Sequence, residues 1–178
     1  MQRELPVRKH PRLKNYDYSK NGAYYVTLCV ENKYEMLGEI VGRGLAPAEV
    51  ALTSIGKIAQ EQLIDLQNRF SCVNIDKYVI MPTHIHVIII INDATAGATT
   101  KIYGATAGAS HRPTLMDIIC AFKSLSTRIC NKQDNIQGRK IWQTSFYEEI
   151  IRNEKAHNEI RRYIEENPAR WSEDRYFI

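Results

Sequence analysis

The sequence predicts an α+β domain built on an antiparallel sheet. Segments rich in β-branched and aromatic residues have the composition of strands at 24–30, 72–81 and 84–91. Only a short turn separates the last two, which predicts an antiparallel pair. Apolar residues at helical spacing predict three amphipathic helices, near 54–66, 115–129 and 154–167. A further short strand is expected near 148–152.

Length and composition limit the class of protein. A chain of 178 residues with 44% hydrophobic residues suits one domain, residues 1–178, with a sizeable core. No apolar run approaches the ~20 residues that span a bilayer, and the N-terminus lacks the apolar core of a signal peptide. We therefore expect a cytoplasmic protein with no membrane partner. The four cysteines lie far apart, which argues against a zinc knuckle or a disulfide framework.

Positive charge is concentrated at the N-terminus. Residues 1–20 hold six basic and two acidic residues, and this excess equals the net charge of +4 of the whole chain. The segment is expected to be a basic arm, in which Arg12 and Lys14 neutralise phosphates and Tyr16 stacks on unpaired bases. A solvated tail without a partner is equally consistent with these residues.

Two segments are expected to be irregular. Residues 38–47 contain three glycines and a proline, so they predict a connection with one short strand near 39–41. In residues 92–113, the pentapeptide Ala-Thr-Ala-Gly-Ala occurs twice, at 94–98 and 105–109. Such small residues bury little apolar area, which predicts a flexible linker.

The helices carry recognisable start and stop signals. Thr53 or Ser54 is expected to cap the first helix, and Thr114 with Asp117 matches a capping box that opens the second. Pro168 should close the third helix. The polar face of the second helix includes Lys123 and Arg128, which can lie along a phosphate backbone or can simply be solvated.

Two histidines open the strand predicted at 84–91. Because successive side chains of a strand point to opposite faces, His84 and His86 emerge on the same side, and Ile85 points to the other. The apolar run that follows indicates a central strand, so the pair lies at the mouth of a hydrophobic body. A metal site is one interpretation, and two unrelated histidines are the other.

On the last predicted helix, Tyr163 and Asn167 are four residues apart and share a face. Both side chains can therefore reach a site over the sheet. The alternative for Tyr163 is a boundary aromatic whose ring packs and whose hydroxyl stays in water.

The segment Met81-Pro82-Thr83-His84-Ile85-His86 and the Tyr163-x-x-x-Asn167 element, in this order, resemble the single-tyrosine HUH transposases. The resemblance is greatest to the REP-associated tyrosine transposases (RAYTs). It spans nearly the whole chain apart from residues 38–47 and the linker. Thr83 is a departure, because the family usually has asparagine there. Supporting similarity lies in four short segments: 12–18, 121–124, 141–143 and 151–154.

This resemblance implies a ferredoxin-like antiparallel sheet with helices on one face. It implies metal-dependent cleavage and strand transfer of single-stranded DNA beside a hairpin-forming palindromic repeat, with Tyr163 as the nucleophile that forms a 5′-phosphotyrosine. Mg²⁺ or Mn²⁺ would be held by His84, His86 and the side-chain oxygen of Asn167. The protein would act as a monomer or homodimer.

The assignment of Asn167 has an alternative. The residue before a proline is disfavoured in helical geometry, so Glu166, three residues after Tyr163, is a substitute ligand. Two other functions also fit the residues. One is a metal-dependent hydrolase that uses His84 and His86 with a water nucleophile. The other is a domesticated, non-catalytic protein that binds hairpin or single-stranded DNA through the basic arm and the Lys123 face.

Overall fold

The computed structural model describes residue 13, residues 15–42, 48–93 and 112–174, and residue 176. Arg12, Lys14, most of the predicted basic arm and nearly all of the predicted linker lie outside the described residues. The strands are β1 (Gly22–Cys29), β2 (Gly38–Val41), β3 (Glu49–Leu52), β4 (Val73–Ile80), β5 (His84–Ile91) and β6 (Tyr147–Ile151). The helices are α1 (Ser54–Ile64), α2 (Leu66–Arg69), α3 (Leu115–Gln133) and α4 (Glu154–Glu166), and single 3₁₀ turns cover Glu31–Lys33 and Trp171–Glu173.

Four strands form one antiparallel sheet in the order β4-β5-β1-β6. The strand β5 is central, as its unbroken apolar run predicts, and every residue from His84 to Ile89 is buried. Strands β2 and β3 form a separate two-stranded sheet, where the sequence predicted only one short strand. The sequence-based expectation of an α+β fold with an antiparallel sheet is confirmed.

Helices cover both faces of the sheet. On the first face, Ile85 and Val87 of β5 join the main core with residues of α1 and α3, including Ile58 and Phe122. On the second face, Ile88 packs with Tyr25 of β1 and with Ile164 of α4. The expected one-sided arrangement therefore holds for α1 to α3 but not for α4. A strand that is apolar on both sides needs cover on both, and the Ile160–Ile164 stripe of α4 supplies it.

Local signals fix the starts of α1 and α3 as predicted, but the ends of both helices differ from the prediction. The Thr53 side chain accepts a hydrogen bond from the Gly56 amide, and Thr114 and Asp117 form a reciprocal capping box. The first helix is shorter than predicted, because α1 ends at Ile64 and the chain continues through Asp65 into the separate turn α2. The helix α3 is longer than predicted and extends past residue 129 to Gln133. Within the described ranges, no helix is both long and apolar enough to cross a membrane.

The described residues beside the arm and the linker pack onto the domain. Tyr18 is buried and donates a hydrogen bond to Glu148 Oε1 at 3.2 Å, so residues 15–20 are part of the fold rather than of an extended arm. At the linker, the Arg112 guanidinium forms an ion pair with Asp93 at 3.1 Å and donates to the Asn92 carbonyl at 2.7 Å. These contacts hold the two ends of the predicted linker together.

Candidate active site

His84 and His86 converge as the strand alternation predicts. Both side chains are fully buried on the face of the sheet that α4 covers, and their Nε2 atoms lie 2.9 Å apart. In the register of the sheet, His86 is flanked by Thr27 of β1 and Val79 of β4. The central position of β5 therefore fixes both imidazoles between paired strands.

Hydroxyl groups hold the other nitrogen of each ring. His86 Nδ1 lies 2.7 Å from the Tyr25 hydroxyl and 2.9 Å from Thr27 Oγ1. His84 Nδ1 lies 3.2 Å from Thr83 Oγ1, which itself donates to the Tyr176 carbonyl at 3.3 Å. Because the Thr83 hydroxyl donates its proton to the Tyr176 carbonyl, Thr83 Oγ1 acts as the acceptor for His84 Nδ1–H. This assignment leaves a lone pair on His84 Nε2, the form in which imidazole binds a metal.

Tyr163 reaches the histidine pair from α4. Its hydroxyl oxygen lies 3.4 Å from His86 Nε2 and donates a hydrogen bond to Asp174 Oδ2 at 3.1 Å. Its ring centroid lies 5.2 Å from that of His86, yet the residue is 41% exposed. The side chain therefore touches the buried site and is also open to a large ligand. A cavity of about 510 Å³ lies beside it, lined in part by Tyr25, Tyr147 and Arg170.

Asn167 lies at the end of α4 and faces the same site. It keeps helical dihedral angles, φ −56° and ψ −42°, although Pro168 follows, so its side chain projects beside that of Tyr163. The side chain is buried, and Nδ2 donates to Asp174 Oδ2 at 2.9 Å. Its Oδ1 is buried without a hydrogen-bond partner among the described residues. Glu166, the alternative, is partly exposed and pairs with Arg170 at 3.3 Å.

Asp174 is a site residue that the sequence analysis missed. Its carboxylate lies 3.9 Å from His86 Nε2, and the side chain is only 1% exposed. Burial acts to raise the pKa of Asp174, but the nearby His86 imidazole and hydrogen bonds from the Tyr176 amide and Asn167 Nδ2 outweigh it and hold the pKa well below its usual range. No sequence spacing pointed to Asp174. Asp174 reaches the cluster because the chain turns back toward the sheet after α4. In this returning segment, Trp171 and Tyr176 pack against the His84 ring.

The donor atoms of this cluster suit a divalent metal ion. One ligand atom from each of His84, His86 and Asp174 lies within 4.8 Å of the others. Two imidazole nitrogens and a carboxylate are a common ligand set for divalent first-row metals. The orphaned Oδ1 of Asn167 adds an oxygen that gains a partner only if an ion or another ligand binds. These residues could therefore hold a metal ion.

The predicted DNA-binding residues occupy different environments. Tyr16 is partly buried, and its ring centroid lies 5.0 Å from that of Tyr18. The Lys123 ammonium donates to the carbonyls of Gln143 and Ser145, at 2.8 and 2.9 Å, so it ties two segments of the fold together. Arg128 is exposed on α3.

Comparisons with known proteins identify relatives at two levels. No family model matches the chain. An uncharacterized protein of Haemophilus influenzae is 32% identical over 177 residues, which cover 96% of this chain and 93% of that protein. The structure of a REP-associated tyrosine transposase bound to a REP hairpin matches with a TM-score of 0.59 and 19% identity, over 90% of this chain and 73% of that chain. A putative transposase from Deinococcus radiodurans has a TM-score of 0.45 and 16% identity, over 86% of this chain and 95% of that one. The chain thus belongs to the family of the Haemophilus influenzae protein, and its fold is that of a REP-associated tyrosine transposase.

Proposed function

We propose that this protein cleaves and rejoins single-stranded DNA by transesterification at Tyr163. The observation that carries the proposal is the position of the Tyr163 hydroxyl, 3.4 Å from Nε2 of the buried His86. The same nitrogen lies 2.9 Å from Nε2 of His84. A tyrosine that merely packed at a helix boundary would keep its hydroxyl in water. Here the hydroxyl points into the cluster while the ring edge stays accessible from the 510 Å³ cavity.

The proposed reaction exchanges one phosphate ester for another. The Tyr163 oxygen forms a bond to phosphorus, the bond from phosphorus to the 3′ oxygen breaks, and the 5′ phosphate remains on the tyrosine. The Asp174 carboxylate accepts the hydrogen bond of the Tyr163 hydroxyl and so orients it. The phenol proton passes to solvent water, and the leaving 3′ oxygen takes up a proton from water. The ester formed is comparable in energy to the one broken, so the 3′ hydroxyl can reverse the step without ATP.

The ligand set proposed for Mg²⁺ or Mn²⁺ is Nε2 of His84 and His86 with oxygens of Asn167 and Asp174. A bound divalent ion would stabilise charge on the phosphate and favour the phenolate of Tyr163, whose ordinary pKa is near 10. His86 is held by Tyr25 and Thr27 in the orientation that this set requires. Glu166 is a weaker candidate for a metal ligand, because its carboxylate forms an ion pair with Arg170.

The proposed substrate is single-stranded DNA beside a hairpin. The structure with a TM-score of 0.59 is that of a transposase bound to a REP hairpin, and the shared fold supports the same class of partner here. The exposed edge of Tyr163 and the adjoining cavity leave room for an unpaired nucleotide. A base of a DNA duplex would have to leave its stack before it could occupy this cavity, and an unpaired nucleotide avoids that cost.

The experiment that tests the proposal follows the covalent product. A labelled oligonucleotide carrying the palindromic repeat nearest the gene, incubated with Mn²⁺, should yield a denaturant-resistant protein–DNA adduct. Tyr163→Phe keeps the ring and should abolish the adduct. Tyr78→Phe is the matched control, because that hydroxyl contacts Gln60 of α1, which packs on the other face of the sheet. Cleavage that persists in Tyr163→Phe would favour a hydrolase with a water nucleophile instead.

A further inference from the structure

A basic groove lies between the second half of α3 and the segment 135–144, apart from the histidine cluster. Its volume is about 760 Å³. We propose that this groove binds the sugar–phosphate backbone of the DNA substrate and holds the DNA while Tyr163 acts. The inference deepens the proposed function and rests on it for the identity of the substrate.

The charge of the groove favours a phosphate ligand. The described residues that line it include four cations, Lys123, Arg128, Lys132 and Lys140, and no acidic residue. Arg128 and Lys132 are exposed and lie four residues apart on one face of α3, where two like charges destabilise a helix. In the described part of the chain, neither forms an ion pair or a side-chain hydrogen bond. An anionic ligand would offset this repulsion.

The other two cations shape the groove. The Lys123 ammonium is bound to the carbonyls of Gln143 and Ser145, so it joins α3 to the facing segment. Lys140 forms an ion pair with Glu31 at 3.1 Å, and its side chain remains 54% exposed. Arg128 and Lys132 are therefore the two cations most available to phosphates.

The facing wall of the groove is held in place before any ligand binds. Arg139 donates to Asn131 Oδ1 at 3.1 Å and to Asp134 at 2.7 Å, while Asn131 Nδ2 donates to the Arg139 carbonyl at 2.9 Å. Gly138 adopts φ +73°, a conformation that glycine accepts without strain. These contacts fold the segment back along α3, so the groove does not have to be ordered when DNA binds.

The lining favours contact with the backbone over stacking on bases. Trp142 is the aromatic residue among those that line the groove, and it is only 3% exposed, with its Nε1 donating to Ser126 Oγ at 2.9 Å. Its ring is therefore not presented to a base. Binding of unpaired bases normally relies on exposed aromatic faces, whereas exposed cations and amide side chains suit phosphate oxygens.

The groove is connected to the end of the sheet that carries the histidine pair. The Gln143 amide donates to the Cys29 carbonyl at 3.0 Å, and Trp142 forms an isolated bridge with Val30. Cys29 is paired with His84 in the register of β1 and β5. One wall of the groove is thus joined directly to the strand end beside His84.

The test measures DNA binding as a function of salt. Fluorescence anisotropy would follow a labelled hairpin with a single-stranded tail, in chelator, for wild type and for the double variant Arg128→Gln/Lys132→Gln. Each lost phosphate contact lowers the slope of log affinity against log salt by about 0.7 to 0.9. We expect the slope of the double variant to be shallower by about 1 to 2 and its affinity in low salt to fall about tenfold. Arg128→Lys/Lys132→Arg should bind like wild type.

The matched control removes the same charge elsewhere. Lys57→Gln/Lys155→Gln replaces two exposed lysines, on α1 and α4, that do not line the groove, and it should keep the wild-type slope. Equal slopes for the two double variants, or wild type that fails to bind the hairpin, would overturn the proposal. The tail alone and the blunt hairpin, tested in parallel, show whether unpaired or duplex backbone occupies the groove.

The outcome is separable from that of the proposed function. If wild type forms no covalent adduct but the groove variant still changes the salt slope, the groove stands and the reaction at Tyr163 fails. If the adduct forms and the slopes do not differ, the reaction stands and the groove proposal fails.

Discussion

The Tyr163 hydroxyl lies 3.4 Å from Nε2 of His86, although 77 residues separate them in the sequence. The contact exists because α4 packs on the face of the sheet from which His86 emerges, through Ile164 against Tyr25 and Ile88. The packing of α4 therefore determines whether the proposed nucleophile reaches the histidine pair.

Loss of a metal ligand should change the metal requirement of cleavage. His84→Ala and His86→Ala should each abolish cleavage, because the remaining imidazole and oxygens form an incomplete site. Asn167→Ala and Asp174→Ala each remove one oxygen donor and should raise the Mn²⁺ concentration for half-maximal cleavage by about tenfold or more. The change in melting temperature with added Mn²⁺ gives a second measurement that does not depend on activity.

A Mn²⁺ titration of cleavage for each variant tests Asn167 and Asp174 separately as metal ligands. A Mn²⁺ titration of Asn167→Ala that superimposes on that of wild type would remove Asn167 from the ligand set. Glu166→Gln is the matched control, because Glu166 pairs with Arg170 and should not affect the titration. Cleavage by wild type in excess chelator would contradict metal dependence altogether.

The hydroxyls around His86 should tune metal binding. Thr27→Val removes the group 2.9 Å from His86 Nδ1 and keeps the side-chain shape, so the imidazole loses a partner that fixes its orientation. We expect Mn²⁺ affinity, measured by calorimetry, to fall about 10- to 100-fold. DNA affinity in chelator should stay unchanged. Unaltered metal affinity in Thr27→Val and Tyr25→Phe would show that these hydroxyls have no role in orienting the histidine.

Asp174 should stabilise the fold in a pH-dependent way. Its pKa is depressed in the folded protein, so the ionised form contributes stability above the unfolded value of about 3.9. That contribution is lost as the pH falls through the lower, folded pKa. Asp174→Asn should therefore lower the unfolding free energy at pH 7, and the difference from wild type should shrink only below about pH 4. Chemical denaturation in chelator at several pH values measures it, and a constant difference would contradict this account.

The attachment of α4 to the sheet should affect cleavage from a distance. Asp76 of β4 binds two residues of α4, His157 at 2.9 Å and Arg161 at 2.7 Å. Its side chain is 14% exposed, and Asp76→Ala should destabilise the protein by about 1–3 kcal/mol. It should also slow adduct formation at saturating DNA and Mn²⁺.

A neighbouring ion pair serves as the control for Asp76. Lys77 and Glu165 also join β4 to α4, but they lie 3.6 Å apart and the Glu165 side chain is 71% exposed. Exposed pairs contribute little to stability, so Glu165→Ala should change neither stability nor the rate of adduct formation appreciably. Equal effects of the two substitutions would show that Asp76 has no special role in positioning Tyr163.

The sequence predicted most of the elements because their signals are local. The unbroken apolar run placed β5 at the residues observed, and caps at Thr53 and Thr114 marked the starts of α1 and α3. Strand alternation alone predicted that His84 and His86 share a face. Asp174 escaped prediction because its place in the cluster depends on how the chain returns after α4, which no periodicity records. The same holds for α4 itself, whose side of the sheet is decided by long-range packing.

Helical geometry at Asn167 was also harder to predict. The steric effect of Pro168 disfavours helix at the preceding residue, but Asn167 stays helical and its buried side chain is anchored by Asp174. The tertiary contacts of Asn167 thus outweigh the local preference against helical geometry that Pro168 imposes. The role of Lys123 could not be predicted either. The polar pattern of its helix face does not show that the Lys123 ammonium binds backbone carbonyls of another segment.

The most direct test of the central claim determines which DNA fragment becomes attached to the protein, and at which residue. A hairpin oligonucleotide labelled with different dyes at its 5′ and 3′ ends would be incubated with the protein and Mn²⁺, denatured and digested with trypsin for mass spectrometry. We predict that the 3′-labelled fragment is linked through its 5′ phosphate to the peptide containing Tyr163, and that the 5′-labelled fragment is released with a free 3′ hydroxyl. Two released fragments with no peptide attached, or a link at another residue, would contradict the account.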